Sequence, residues 1–386
     1  MRIGIDLRAL PQDGSPGAGI AHAARDLVNA LIAIQTKPDI FWLLFLPRGA
    51  SPQAEDRLLR ERTAATHIVR LSGTDGAVLR KALAQYPCDR LFIPSGAIPP
   101  GIQVPTIPWV HDLAIFDHPE WFPESVLRRA ITTRLFRRGV KNAHQVLSVS
   151  ECTKREIVSR FSFPEERVTV THAGGDNILA SLHGEAIHEA KQRARRRVAE
   201  RGITNPFILC MGTLEPRKNI PFLLNVWSKA RKDFRRNIDL VIAGRDGWKL
   251  GPITHALDSN RVYDSETSSH LHRIEIPGDD DRRDLLLAAE LVALPSLYEG
   301  FGLVALEAMQ AETALMSSNA GGLPEVVGED GILLPPEDEE QWRAGMVGLM
   351  NDEEARHELA KLGKARSQGM TWERAAYMAF DVLTKP

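Results

Sequence analysis

The chain has 386 residues, 43% apolar and 25% charged, the balance of a soluble globular protein with two domains of ordinary size. That excludes a disordered, collagenous or disulfide-framework chain. Its 48 basic and 50 acidic residues nearly cancel, but residues 1–170 carry 22 Lys and Arg against 17 Asp and Glu, and the remainder 26 against 33; such an asymmetry directs attention to an anionic surface or partner.

Three cysteines, Cys88, Cys152 and Cys210, lie far apart without C-x-x-C spacing. They fit a reduced cytosol rather than a zinc site or a disulfide scaffold. The longest apolar run, Ile40–Leu46, is strand-length and far below the roughly 20 residues a bilayer span needs. Met1-Arg2-Ile3-Gly4-Ile5 enters a strand pattern without a signal peptide. The expected location is cytoplasmic, soluble or peripheral at the inner face of the membrane.

Short apolar runs then alternate with amphipathic segments, the pattern of a doubly wound α/β protein. The first series predicts strands at Arg2–Leu7, Ile40–Leu46, His67–Leu71, Arg90–Pro94, Thr106–His111, Gln145–Ser150 and Arg167–Thr171. After the first strand, the loop with Gly17 and Gly19 opens a helix over Gly19–Ile34, with Ile20, Ala24, Leu27, Val28, Leu31 and Ile34 on one face. This is not a dinucleotide fingerprint: the third Gly of G-x-G-x-x-G would fall at His22, and Asp39 precedes the second strand. Further on, Arg128, Arg129, Arg134, Arg137, Arg138 and Lys141 alternate with apolar residues, and no acidic residue lies between Ser125 and Ser150. Such a segment suits anionic lipid or a lipid-diphosphate acceptor; the alternative is the solvated face of a crossover helix. Without interleaved aromatics or a binding module, nucleic acid is not expected as a partner.

Residues 1–175 therefore form the expected first domain and 176–204 a linker with a polar, Arg-rich helix. Residues 205–371 form the second domain, and the helix 372–386 is expected to pack back on the first. The second series predicts strands at Phe207–Met211, Asp239–Ala243, Arg273–Ile276, Leu291–Pro295, Ala314–Ser317 and Ile332–Leu334. Ligands of such sheets bind outside the carboxyl ends of strands, so the strand-to-helix junctions carry the chemistry.

At the first of these junctions, Glu215-Pro216-Arg217-Lys218-Asn219 follows an apolar strand and precedes an amphipathic helix. Two cations at a helix N-terminus suit a dianionic phosphate; the alternative is a solvated turn. The P-loop spacing is absent. At the second, Ser296-Leu297-Tyr298-Glu299-Gly300-Phe301-Gly302-Leu303 ends a strand, and its glycines let a ligand approach the backbone amides. Glu307 lies among apolar helix residues, where a carboxylate needs a partner; it suits a vicinal diol or, alternatively, the helix surface. Asp279, Asp280 and Asp281 are expected to cap the helix Asp284–Glu290 rather than hold a metal. His183, His188, His270 and His272 show no ligand spacing and are expected on the surface.

These motifs together resemble the retaining glycosyltransferases of family 4, in particular bacterial mannosyltransferase-like enzymes of surface-polysaccharide synthesis. Gly4-Ile5-Asp6-Leu7-Arg8, Val110-His111-Asp112-Leu113, His118-Pro119-Glu120-Trp121-Phe122-Pro123, Ser148-Val149-Ser150 and Gly322-Leu323-Pro324-Glu325 extend the resemblance over nearly the whole chain. It implies the GT-B fold, two facing Rossmann-like domains with a cleft between them. It also implies metal-independent transfer of a hexose, with mannose the expected sugar, from a GDP- or UDP-sugar to a glycan or lipid-linked acceptor. Carried over, Arg217 and Lys218 hold the diphosphate, Glu307 the ribose hydroxyls, and Glu299 a hydroxyl of the sugar beside the Phe301, Gly302 and Leu303 amides. Gly17 and Gly19 approach the donor through their backbone, and His111 faces the transferred sugar. Asp112 either orients His111 or caps the next turn. Where relatives read Gly-Ile-Gly-Arg-Tyr, Ile20 and Ala21 replace Arg and Tyr, which bears on acceptor recognition. The alternatives are a nucleotide-sugar epimerase and a sugar-nucleotide-binding pseudoenzyme.

Overall fold

A computed structural model describes residues 1–10, 19–34, 39–49, 65–123, 125–175, 182, 186–262, 270–276, 278–329 and 331–385. Contacts divide the chain into two units. Met1–Pro119, Glu124–Gly174 and Thr371–Pro386 form the first; Glu120–Pro123 and Gly175–Met370 form the second.

The first unit is built on β1 (Arg2–Asp6), β2 (Phe41–Pro47), β3 (Thr66–Leu71), β4 (Arg90–Ile93), β5 (Thr106–Val110), β6 (Val146–Ser148) and β7 (Val168–Val170). They form one parallel sheet in the order β3-β2-β1-β4-β5-β6-β7. Parallel strands are covered on both faces and read as continuous apolar runs, and Ile3, Ile5, Trp42, Phe45, Phe92 and Trp109 are fully buried. Around the sheet lie α1 (Gly19–Ala33), α2 (Gly76–Gln85), α3 (Ala114–Asp117), α4 (Val126–Asn142) and α5 (Glu151–Phe161).

The second unit repeats the topology. Its strands are β8 (Phe207–Met211), β9 (Asp239–Ala243), β10 (Leu271–Ile274), β11 (Leu291–Leu294), β12 (Ala314–Ser318) and β13 (Ile332–Leu334). Their order is β10-β9-β8-β11-β12-β13, again parallel. The helices are α6 (Ile187–Ala199), α7 (Ile220–Ala230), α8 (Gly251–Val262), α9 (Asp279–Ala288), α10 (Leu303–Gln310), α11 (Leu323–Val327), α12 (Glu339–Asn351) and α13 (Glu353–Ser367). A core of Ile208, Leu224, Leu240, Met316 and the fully buried Trp227 and Trp342 fills the space between sheet and helices.

Three features differ from the sequence expectations. The helix expected inside the linker, α6, lies in the second unit, where Arg197 Nη1 meets Asp284 Oδ2 of α9 at 3.0 Å. Trp121 and Phe122 also belong to that unit: Trp248 Nε1 donates to the Trp121 carbonyl at 2.7 Å, and the Phe122 and Trp248 rings stack. Finally, β10 starts two residues before the apolar pattern, because buried Asp239 accepts hydrogen bonds from His270 Nδ1 at 2.7 Å and His272 Nε2 at 2.8 Å. Both histidines were expected on the surface; they are instead half-buried anchors of the edge strand.

The last helix, α14 (Trp372–Thr384), returns to the first unit and packs on α1. Trp42 and Phe380 are in ring contact, and buried Arg90 donates through Nη1 to the Val382 carbonyl at 3.1 Å.

Candidate functional site

In each sheet the strand order reverses beside the first strand of the series: between β1 and β4, and between β8 and β11. Such reversals open a crevice at the carboxyl edge. In the second unit both flanking strands run into charged loops. After β8, Pro216–Lys218 forms a single 3-10 turn, and Asn219 at φ +53° redirects the chain into α7. Asn tolerates this left-handed region better than most residues. The Lys218 and Asn219 amides are bonded to the Glu215 and Pro216 carbonyls at 3.1 Å each. The cations therefore sit one turn ahead of α7, and these two amides are not open donors as the sequence reading implied. A ligand would meet the side chains.

Those side chains converge on Glu299. Lys218 Nζ donates to Glu299 Oε1 at 2.5 Å, Ser296 Oγ donates to the same oxygen at 2.8 Å, and Arg217 Nη1 lies 3.8 Å from Oε2. Arg217 Nε also donates to Glu215, whose carboxylate is buried. Burial alone would raise the Glu299 pKa, but Lys218, then Arg217, then the hydrogen bonds outweigh it and hold the carboxyl below its ordinary value. Below the cluster, burial pushes the Cys210 thiol up to about 12, with Lys218 opposing, so its side chain stays neutral. The two loops are joined by their backbones, the Leu297 amide donating to the Arg217 carbonyl at 2.7 Å.

Backbone geometry explains the glycines. Gly302, at φ +112°, opens α10, and a Cβ there would lie 2.7 Å from Leu323 Cδ2. Gly321, at φ +61°, packs so closely on the Glu299–Gly300 loop that a Cβ would strike the Glu299 carbonyl. Both positions demand glycine on conformational and steric grounds. Phe301 is buried, so its side chain belongs to the core.

Glu307 is 4% exposed and is held by Arg282 of α9, whose Nε donates to Oε2 at 2.9 Å and whose Nη2 reaches the same oxygen. This pairing replaces the expected helix-surface alternative. The neighbouring aspartates do not cap α9: its N-cap is Gly278, without a side-chain cap. They pair instead, Asp281 with Arg201 and Asp280 with Arg283. Among the described residues no cluster of three or more His, Cys, Asp or Glu could hold a metal ion.

The first unit presents a different site. His111 follows β5, its Nε2 lies 2.7 Å from the Pro94 carbonyl, and its ring packs on Trp109 at 4.5 Å between centroids. Burial, opposed by the Pro94 hydrogen bond and Asp112, lowers its pKa. The ring is then neutral, with Nε2–H donating and Nδ1 the acceptor nitrogen. Asp112 accepts from the Ala114 amide at 3.2 Å, the turn-capping reading. Gly19 begins α1, and among the described residues nothing lies within 4 Å of where its Cβ would stand; Gly17 lies outside the described residues. Ile20, in place of the usual Arg, is 44% exposed.

The sequence reading assigned no role to Glu215, Ser296 or Arg282. Glu215 stands two residues before Arg217 in the same motif, and that spacing of opposite charges was the available signal. Arg282 lies 25 residues from its partner, and no local pattern announces it.

On α4, Val126 and Leu127 are 74% and 73% exposed, with Ile131 and Leu135 also exposed. Arg128, Arg134, Arg137, Arg138 and Lys141 are exposed on the same helix. Among the described residues no helix is long and apolar enough to cross a membrane.

Comparison with known proteins places this geometry. Residues 191–366, all within the second unit, match the family described as Glycosyl transferases group 1. The chain is 28% identical over 264 residues to the O-antigen chain mannosyltransferase B of Escherichia coli, covering 68% of this chain and 66% of that protein. It is 27% identical over 252 residues to the serotype-specific mannosyltransferase WbdA of Escherichia coli, covering 64% of this chain and 29% of that one. It thus spans less than two-thirds of these relatives. HepE from Anabaena, solved in complex with UDP-glucose, superposes with a TM-score of 0.74 at 18% identity over the full length of both chains. The fold is GT-B, two Rossmann-like units each on a parallel sheet.

Proposed function

We propose that the protein is a retaining, family 4-like hexosyltransferase that moves mannose from a GDP- or UDP-sugar to a glycan or lipid-linked acceptor in polysaccharide synthesis. The observation that carries this reading is the Lys218–Glu299–Arg217 cluster at the strand-order reversal of the second sheet. The names of the mannosyltransferase relatives, and the UDP-glucose bound by HepE, support the donor class.

Lys218 and Arg217 take the donor diphosphate and stabilise the charge that develops as it leaves, the electrostatic effect that dominates such transfers. Their two cations supply the neutralisation without a metal. Glu299, already engaged by Lys218 and Ser296, is placed to accept a sugar hydroxyl rather than to attack C1. The acceptor oxygen then bonds to C1 on the face from which the phosphate departs; the C1–O bond breaks and the acceptor proton passes to the leaving phosphate. Glu307 binds the ribose diol, and the Phe301, Gly302 and Leu303 amides lie along the donor. Gly17 and Gly19 contribute backbone, and neutral His111 contributes from the first, acceptor-side unit.

The exposed apolar and basic residues of α4 support a peripheral contact with anionic lipid through Arg128–Lys141. Vesicles containing phosphatidylglycerol should retain the wild-type chain and release one with the five exposed cations neutralised; equal retention overturns this contact.

The central test incubates purified protein with UDP-, GDP- and ADP-sugars and a saccharide acceptor panel in EDTA. Acceptor-dependent release of nucleoside diphosphate is expected, and it should vanish when Arg217→Ala and Lys218→Ala are combined. Normal turnover in that folded double variant overturns the site. Conversion of the donor without acceptor would make the protein an epimerase.

A further inference from the structure

We propose that Arg282 determines recognition of the donor's ribose, as a positioning residue that holds Glu307 in one orientation for a vicinal diol. The inference rests on the reading of Glu307 as the ribose acceptor.

Helix α9 begins Asp279-Asp280-Asp281-Arg282-Arg283-Asp284, and its charges are largely spent on structure. Arg283 lies 3.0 Å from Asp280 and 3.2 Å from Asp284, Asp284 also pairs with Arg197 of α6, and Asp281 pairs with Arg201. These contacts stay within α9 or fasten it to α6 and the segment just after it. Arg282 instead crosses to α10 and sets both Nε and Nη2 on Glu307 Oε2. The carboxylate it meets is flanked by Leu306 and Ala308, both fully buried.

Glu307 is a buried charge, and a buried carboxylate needs charged or hydrogen-bonding partners to offset its desolvation. Arg282 is such a partner from α9: its Nε and Nη2 converge on the single oxygen Oε2 and pin that end of the carboxylate, a two-donor grip that the point charge of a lysine does not reproduce. Its effect should therefore fall on the diol rather than on the diphosphate.

The measurement is calorimetric binding of UDP and GDP, each against its 2′,3′-dideoxy counterpart, to wild type, Arg282→Leu and Arg282→Lys. Wild type should prefer one of the ribonucleotides over its dideoxy form by at least tenfold. Arg282→Leu should bind that ribonucleotide at least tenfold more weakly and without preference. Arg282→Lys should bind the dideoxy form as wild type does, yet show less than threefold preference. If far-UV circular dichroism shows the Leu variant to be unfolded, the Lys variant decides. Retention of the full ribose preference in the Lys variant overturns the proposal. So does tighter binding in Arg282→Leu, which would make Arg282 a plug over Glu307. A wild type that binds a ribonucleotide and its dideoxy form equally, or binds neither, removes the reading of Glu307 itself and is distinct from a failure of the variants alone.

Discussion

The two sheets share one strand order over six strands, the first adding β7 at its edge, but their carboxyl edges carry different chemistry. In the second unit the loops after β8 and β11 bring Glu215, Arg217, Lys218 and Glu299 into one ion cluster. In the first, β5 leads into a neutral imidazole resting on Trp109 and bonded to a carbonyl. Net charge suggests the reverse, since the anion-ready cluster lies in the half with excess acid. Many of those acids are already paired, Asp281, Asp284 and Glu290 with arginines of α6 and its neighbourhood. Net charge averages over such pairs and does not report where two cations and two carboxylates are gathered at one strand-order reversal.

The comparison breaks most visibly at Lys218. Lys218→Ala should lower turnover by about 10²–10³-fold, the range for losing a group that stabilises leaving charge, and weaken nucleoside diphosphate binding. It also leaves Glu299 with only Ser296 and the more distant Arg217, so unfolding in urea should show a loss of about 2 kcal/mol, the scale of one charge-assisted hydrogen bond. Unchanged nucleotide affinity would place the anion site elsewhere.

His111→Ala tests the other edge. Turnover should fall about 10²-fold while nucleoside diphosphate affinity, measured calorimetrically, stays within about twofold. Because burial depresses the His111 pKa, the neutral ring persists below the ordinary value of 6.5. Activity limited by this ring should therefore hold as pH falls from 8 to about 6.5; an acid limb above that value would count against a neutral ring.

A smaller effect belongs to Glu215→Gln, which removes the charge from the buried partner of Arg217 Nε. KM for the donor should rise about tenfold, the cost of one charge-assisted bond, with kcat nearly unchanged; a selective fall in kcat would instead assign Glu215 to the chemical step.

The smallest expected signal is the pH dependence of stability. Glu299 has a depressed folded pKa, so its stabilisation is complete above the ordinary carboxylate value and is lost as pH falls through the folded one. Glu299→Gln should flatten that acid slope in urea unfolding; an unchanged slope would assign it to other carboxylates, Asp239 first, since its pKa is also lowered.

The strands were legible because a parallel strand covered on both faces is apolar from end to end, and Phe207–Met211 and Leu291–Leu294 are buried throughout. The charged loops were legible because they interrupt that pattern at strand ends. The pairings across elements were not. Arg282 with Glu307, and the two histidines with Asp239, depend on how helices and strands lie against one another. A window along the chain sees His270-Leu271-His272 only as polar residues beside a single leucine. The loop containing Gly17 lies outside the described residues.

Helix α14 has a consequence for biosynthesis. The second unit is complete once residue 370 has left the ribosome, whereas the first waits for Thr371 onward to cover α1. Until then α1 lacks the helix that packs on it in the finished protein. The half made first is therefore the half finished last, and a nascent chain stalled before α14 is the species most exposed to chaperones and to aggregation.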